Sequence, residues 1–133
     1  MKWVILGARI LLGLVFFVFG LNGLLHFIPA PPIPGDAGIW AGIMANHHWM
    51  TFIAVVQVIG GLLLLVNRFV PLALTLLAPE LVNILLFHLL LTERAGILPG
   101  AVCAVLELFL IFVYRRNFMP LLAMNPEADT SRP

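Results

Sequence analysis

The sequence predicts an all-α protein: a membrane-embedded four-helix bundle with a short amphipathic helix in its first outer loop. Three features predict it. Of 133 residues, 62% are apolar and only 10% charged, against about 45 to 50% and 25% in an ordinary soluble domain. Four apolar segments approach the roughly 20 residues needed to cross a hydrocarbon core of about 30 Å. The basic residues are also one-sided along the chain. Seven Lys and Arg, six Asp and Glu and a net charge of +1 leave no basic stripe of the kind that binds DNA or RNA. Cys103 is the single cysteine, so an internal disulfide is excluded, and it reads as inert packing.

The spans fall at about 4–27, 50–66, 70–91 and 97–114, in one domain covering 1–122. The first follows Lys2, but it is too long for a signal peptide and lacks a small-x-small cleavage site. The second is shortest, and Thr51 and Gln57 lower its hydropathy, so a helix starting nearer Asn46 is expected. Pro29, Pro31, Pro32 and Pro34 make the first loop extended, and Gly35 and Asp36 offer a turn and an N-cap. After Asp36, Ile39, Trp40, Ile43 and Met44 recur at helical spacing, which predicts the amphipathic helix. Trp40 and Trp49 read as interfacial anchors. Asn67 is the expected cap of the third span, with Pro71 in its first turn, and Pro79 is expected to kink that span. Residues 123–133 form a polar tail that is expected to lack fixed structure.

Lys2, Arg9, Arg68, Arg115, Arg116 and Arg132 lie at the termini or between spans two and three, and only Arg94 lies on the other side. By the positive-inside rule both termini are cytoplasmic. Arg9, within the first turns of its helix, is expected to snorkel to the headgroups.

Polar groups inside the spans are the informative residues, because a carboxylate at mid-bilayer costs roughly 2.5 to 3.5 kcal/mol on insertion scales. Gln57, Glu80 and Glu107 sit near the centres of spans two, three and four. Asn22 and His26 lie one turn apart at the outer end of span one, and Asn83 and His88 occupy the outer half of span three. From Glu80, Asn83 lies about 60° to one side and His88 about 80° to the other, on one broad face. These seven are the candidate ligand-binding residues, arranged around an outward-opening polar cavity. Glu80 and Glu107 would be cheap to bury as a pair sharing a proton. Gly100, Cys103 and Glu107 form a small-residue stripe, and Gly60 and Gly61 lie a turn beyond Gln57, where close helix approach is expected.

All four histidines, His26, His47, His48 and His88, fall on the outer side. Imidazoles suit zinc or copper, but no H-x-x-x-H spacing occurs and no metal site is expected. An axial haem pair of His26 and His88 on facing spans is geometrically conceivable, without any attachment motif to support it.

The order of features resembles the DoxX-like family of small four-span bacterial membrane proteins. The matching stretches are Arg9-Ile-Leu-Leu-Gly-Leu-Val-Phe, Phe19-Gly-Leu-Asn-Gly, His26-Phe-Ile-Pro, Gln57-Val-Ile-Gly-Gly-Leu-Leu-Leu-Leu, Arg68-Phe-Val-Pro-Leu-Ala-Leu and Ala78-Pro-Glu-Leu-Val-Asn-Ile-Leu-Leu-Phe-His. They cover roughly residues 5 to 122. Many relatives of this pattern have Glu before Val-x-Gly-Gly, whereas Gln57 carries no titratable proton. The resemblance implies a bundle in the bacterial inner membrane and a link to redox complexes such as a thiosulfate to quinone oxidoreductase subunit.

Three functions remain open on the sequence. One is an accessory or binding protein that holds a hydrophobic ligand, a quinone or a lipid, by its polar head. The second is a membrane subunit of a quinone-linked oxidoreductase, which needs a partner because no redox centre is visible in this chain. The third is a structural partner of another membrane protein or of itself, with the polar layer holding helices together.

Overall fold

The computed structural model describes residues 1–131; Arg132 and the end of the polar tail lie outside the described residues. Six α-helices follow in order: α1 Lys2–Leu25, α2 Gly35–Asn46, α3 Trp49–Leu65, α4 Val70–Leu90, α5 Ile97–Val113 and α6 Arg115–Phe118, then a 3-10 turn at Met119–Leu122. No strand occurs among the described residues. The four longest helices close a ring in which α1 packs on α3, α3 on α4, α4 on α5 and α5 on α1, while α2 lies against α3.

Two helices, α1 and α4, are long and apolar enough to cross a membrane, and up to four spans result if each bent pair counts as one. The shorter helices, α3 and α5, have 17 residues each, or about 25 Å at 1.5 Å per residue. The earlier start expected for the second span is not found. The chain breaks at His48, whose φ is 60°, and turns 81° between α2 and α3.

Several local expectations change once backbone hydrogen bonds are assigned. Asn67 does not cap α4. It closes α3 instead: its N–H donates to the Leu64 carbonyl at 3.3 Å and the Arg68 N–H to the Leu63 carbonyl at 3.1 Å, with Asn67 at φ 56°. That is a Schellman closure, in which a left-handed residue just past the helix satisfies its last carbonyls, and asparagine tolerates that conformation. Phe69 precedes α4 as its cap residue, and Pro71 lies in the first turn as expected. Asp36 is likewise not a cap. It lies within the first turn of α2, after Pro34, where a carboxylate still complements the helix dipole. The helix forms but is not amphipathic, because Ile39, Trp40 and Ile43 are exposed while Ala37 alone is buried, and apolar groups surround it. The third span stays helical through Pro79, and the Thr75 hydroxyl donates to the Pro71 carbonyl at 2.9 Å.

Glycines set the approach of α1 and α3. A Cβ on Gly61 would lie 2.5 Å from the Phe17 nitrogen and 2.7 Å from the Gly13 carbonyl oxygen, and one on Gly20 would lie 2.9 Å from the Val58 nitrogen. Backbones therefore touch directly, as small residues allow.

This approach also decides the fate of Arg9. Rather than reaching outward to headgroups, it is 7% exposed, and its guanidinium donates to the carbonyls of Leu64 and, at 3.4 Å, Leu65. Those are the last carbonyls of α3, which carry the negative end of the helix dipole and need donors. A protein acceptor within reach replaces the solvent that snorkelling would seek.

The ring is packed unevenly. Leu12, Leu64, Leu74, Leu77 and Leu110 are fully buried and fill the end that carries the N-terminus and the α3–α4 connection. Toward the other end, where α2 and the α4–α5 connection lie, cavities open.

Candidate functional site

Two cavities share one wall. The ring cavity, about 470 Å³ and open at one side, is formed by all four long helices and is lined by Phe16, Phe19 and Asn22 from α1, Ala54 and Gln57 from α3, Leu81 and His88 from α4, and Gly100 and Cys103 from α5. The lateral cavity, about 520 Å³, lies between α2, α3 and α4. Its walls are Trp40, Trp49, Phe52, Val56, Leu76, Pro79 and Phe87, and its polar groups are Gln57, Glu80, Asn83 and His88. Met50, Ile53, Gln57, Ile84 and His88 belong to both and form the partition.

The seven candidate residues thus divide. Gln57, Glu80, Asn83 and His88 meet in the lateral cavity, because α3 and α4 are adjacent and one face of α4 carries the last three. Gln57 is the polar side chain that faces the Glu80 carboxyl, whose Oε2 is buried without a hydrogen-bond partner. Asn22 lines the ring cavity, but its Oδ1 accepts the Ile28 N–H at 2.7 Å and so ties the chain leaving α1. His26 lines neither cavity. It ends α1 in the left-handed region at φ 55°, with its N–H on the Asn22 carbonyl, and it is exposed.

Glu107 also lines neither cavity. It is 4% exposed in the buried stripe of Gly100, Cys103 and Leu110, and both of its oxygens lack a hydrogen-bond partner among the described residues. The Glu80–Glu107 pair sharing a proton therefore does not form: Glu80 belongs to the α3–α4 face and Glu107 to the buried stripe of α5. A single outward-opening cavity is replaced by two compartments for the same reason, since Gln57 and His88 stand between them.

His88 is held from behind. Its Nδ1 lies 2.8 Å from the Ala95 carbonyl oxygen and 3.4 Å from the Thr92 hydroxyl. The carbonyl can only accept, so Nδ1 carries the proton and Nε2 is left as an acceptor. Thr92, one turn after His88, was not singled out by the sequence, although the i,i+4 spacing is its signal. Phe87 packs at 5.2 Å edge-on to His88 and at 5.1 Å from Trp40. Trp40 and Trp49 are thus cavity walls as well as partly exposed surface, which their reading as interfacial anchors missed. Cys103, read as inert packing, lies on the ring-cavity wall.

Among the described residues no three His, Cys, Asp or Glu side chains gather as a metal site, and His26 shares no cavity with His88. Chemically, the lateral cavity offers an aromatic and aliphatic enclosure with one carboxyl, two amides and an imidazole acceptor grouped on two of its walls. Compared with known protein families, curated proteins and solved structures, the chain matches none.

Proposed function

We propose that the chain is a DoxX-like protein of the bacterial inner membrane, a four-span bundle with both termini cytoplasmic, whose lateral cavity binds a hydrophobic molecule through a hydrogen-bonding head. A quinone or a lipid has the required chemistry. The observation that carries this reading is the convergence of Gln57, Glu80, Asn83 and His88 on one otherwise apolar cavity in which a buried Glu80 oxygen has no protein partner. Buried polar atoms are normally satisfied, and an orphan one on a residue that lines a cavity of ligand size fits a site for a head group. Exposed apolar side chains support the membrane setting, among them Val105, Leu108 and Phe112 of α5 at 64 to 67% exposure.

Glu80→Gln keeps the side chain's shape, and the bundle is expected to remain folded. Binding of decylubiquinone or of co-purifying lipid, followed by native mass spectrometry and titration, is expected to weaken about tenfold, the loss of one strong hydrogen bond. Glu80→Leu is the structural control. If both variants bind as the parent does, Glu80 has no ligand role. If the amide binds normally and only the leucine variant unfolds, the carboxyl serves the fold alone. For topology, reporter fusions are expected to place residue 131 in the cytoplasm, since Lys2, Arg68, Arg115 and Arg116 lie at one end of the bundle; a periplasmic signal there reverses the orientation.

A further inference from the structure

The ring cavity is a different compartment from the lateral one, and its chemistry points to a different occupant. No Asp, Glu, Lys or Arg lines it. The Asn22 oxygen is committed to Ile28 and the His88 Nδ1 to Ala95. The Asn22 amide nitrogen, the His88 Nε2, Gln57 and the Cys103 thiol are the side-chain polar groups that remain, in a lining that is otherwise apolar. Glycine makes the space. Gly23, Gly96 and Gly100 present no side chain to the cavity, and a Cβ on Gly100 would already meet Ile84 at 3.1 Å. An open cavity of about 470 Å³ also contrasts with the fully buried leucines at the opposite end of the same ring.

We propose that the ring cavity is a second binding site, separate from the lateral one, which takes an uncharged hydrocarbon chain between the four helices, with Phe16, Leu81 and Cys103 around it. Fatty acyl and isoprenyl chains share this chemistry. The proposal does not depend on a head group in the lateral cavity.

Photolabelling tests it on the full chain in phosphatidylethanolamine and phosphatidylglycerol nanodiscs. The probes are a diazirine-bearing fatty alcohol and a diazirine-bearing prenyl alcohol, with adducts mapped by peptide mass spectrometry. Phe16, Leu81 and Cys103 line the cavity and are 3%, 3% and 6% exposed, so lipid around the bundle has little access to them. Adducts at these residues that fall at least fivefold with excess unlabelled chain are expected, while adducts on the exposed Val105 and Leu108 persist because bilayer contact does not saturate. Which probe labels identifies the acyl or the isoprenyl source, and labelling by both leaves the chain chemistry as the criterion. Adducts confined to exposed residues, or adducts at Phe16, Leu81 and Cys103 that do not compete, overturn the proposal. Competed labelling of the half-buried Val56 and Leu76 reports the lateral cavity separately, so failure of one site is distinguished from failure of the other.

Discussion

Gly61→Leu is expected to abolish the folded bundle, and Gly61→Ala to lower its stability by about 3 kcal/mol or more. Overpacking a core usually costs about 1 to 3 kcal/mol, because neighbours move or change rotamer. At Gly61 the neighbours are backbone: the Phe17 nitrogen at 2.5 Å, the Gly13 oxygen at 2.7 Å and the Phe17 Cα at 2.9 Å from an added Cβ. None can rotate aside, so α1 and α3 must separate. Separation withdraws the acceptors of Arg9 and breaks the wall of the ring cavity. Gly7 lies in the same helix α1, and nothing lies within 4 Å of a Cβ there. Gly7→Ala is therefore expected to be neutral or to stabilise by up to about 1 kcal/mol through helix propensity. Thermal unfolding in detergent, followed by circular dichroism, checks both. Equal midpoints for the alanine variants at positions 7 and 61 would sink the packing account.

Arg9→Met is expected to cost about 2 to 3 kcal/mol. The methionine keeps much of the apolar stem but leaves the Leu64 and Leu65 carbonyls without the guanidinium, and hydrogen bonds to charged groups contribute about 1.5 to 3 kcal/mol. Relief of the burial cost of the charge offsets part of this. Arg9→Lys is expected to recover about half, since an ammonium is a point donor without the planar fork that reaches two carbonyls. Headgroup anchoring predicts another pattern: lysine would replace arginine fully, and neither variant would matter in an uncharged detergent. Unfolding midpoints of both variants in maltoside and in anionic lipid bicelles separate the two.

The relative placement of the candidate residues was legible in the sequence along one helix and less so between two. Glu80, Asn83 and His88 share a face of α4 because about 100° per residue fixes their relative directions, and the lateral cavity holds all three. The grouping of Glu80 with Gln57 followed from depth. Depth alone did not separate Glu107 from that group, because equal depth says nothing of which side of the ring a residue faces. The same limit applies to Asn22 and His26: one turn apart on α1, they part where the helix ends and His26 enters the left-handed region.

By itself the sequence determined the all-helical class, the positions of the long apolar helices within a few residues, and the shared face of Glu80, Asn83 and His88 on α4. These follow from hydropathy, periodicity and proline placement, which act along the chain. Only the tertiary structure decided that Arg9 closes α3 instead of seeking headgroups, that Asn67 ends one helix instead of starting the next, and that one expected cavity is two. The first and the third depend on distances between helices, and the second on which carbonyls of α3 the N–H groups of Asn67 and Arg68 reach. The direct backbone contact at Gly13 and Gly61 sets α1 against α3 and brings the end of α3 within reach of Arg9.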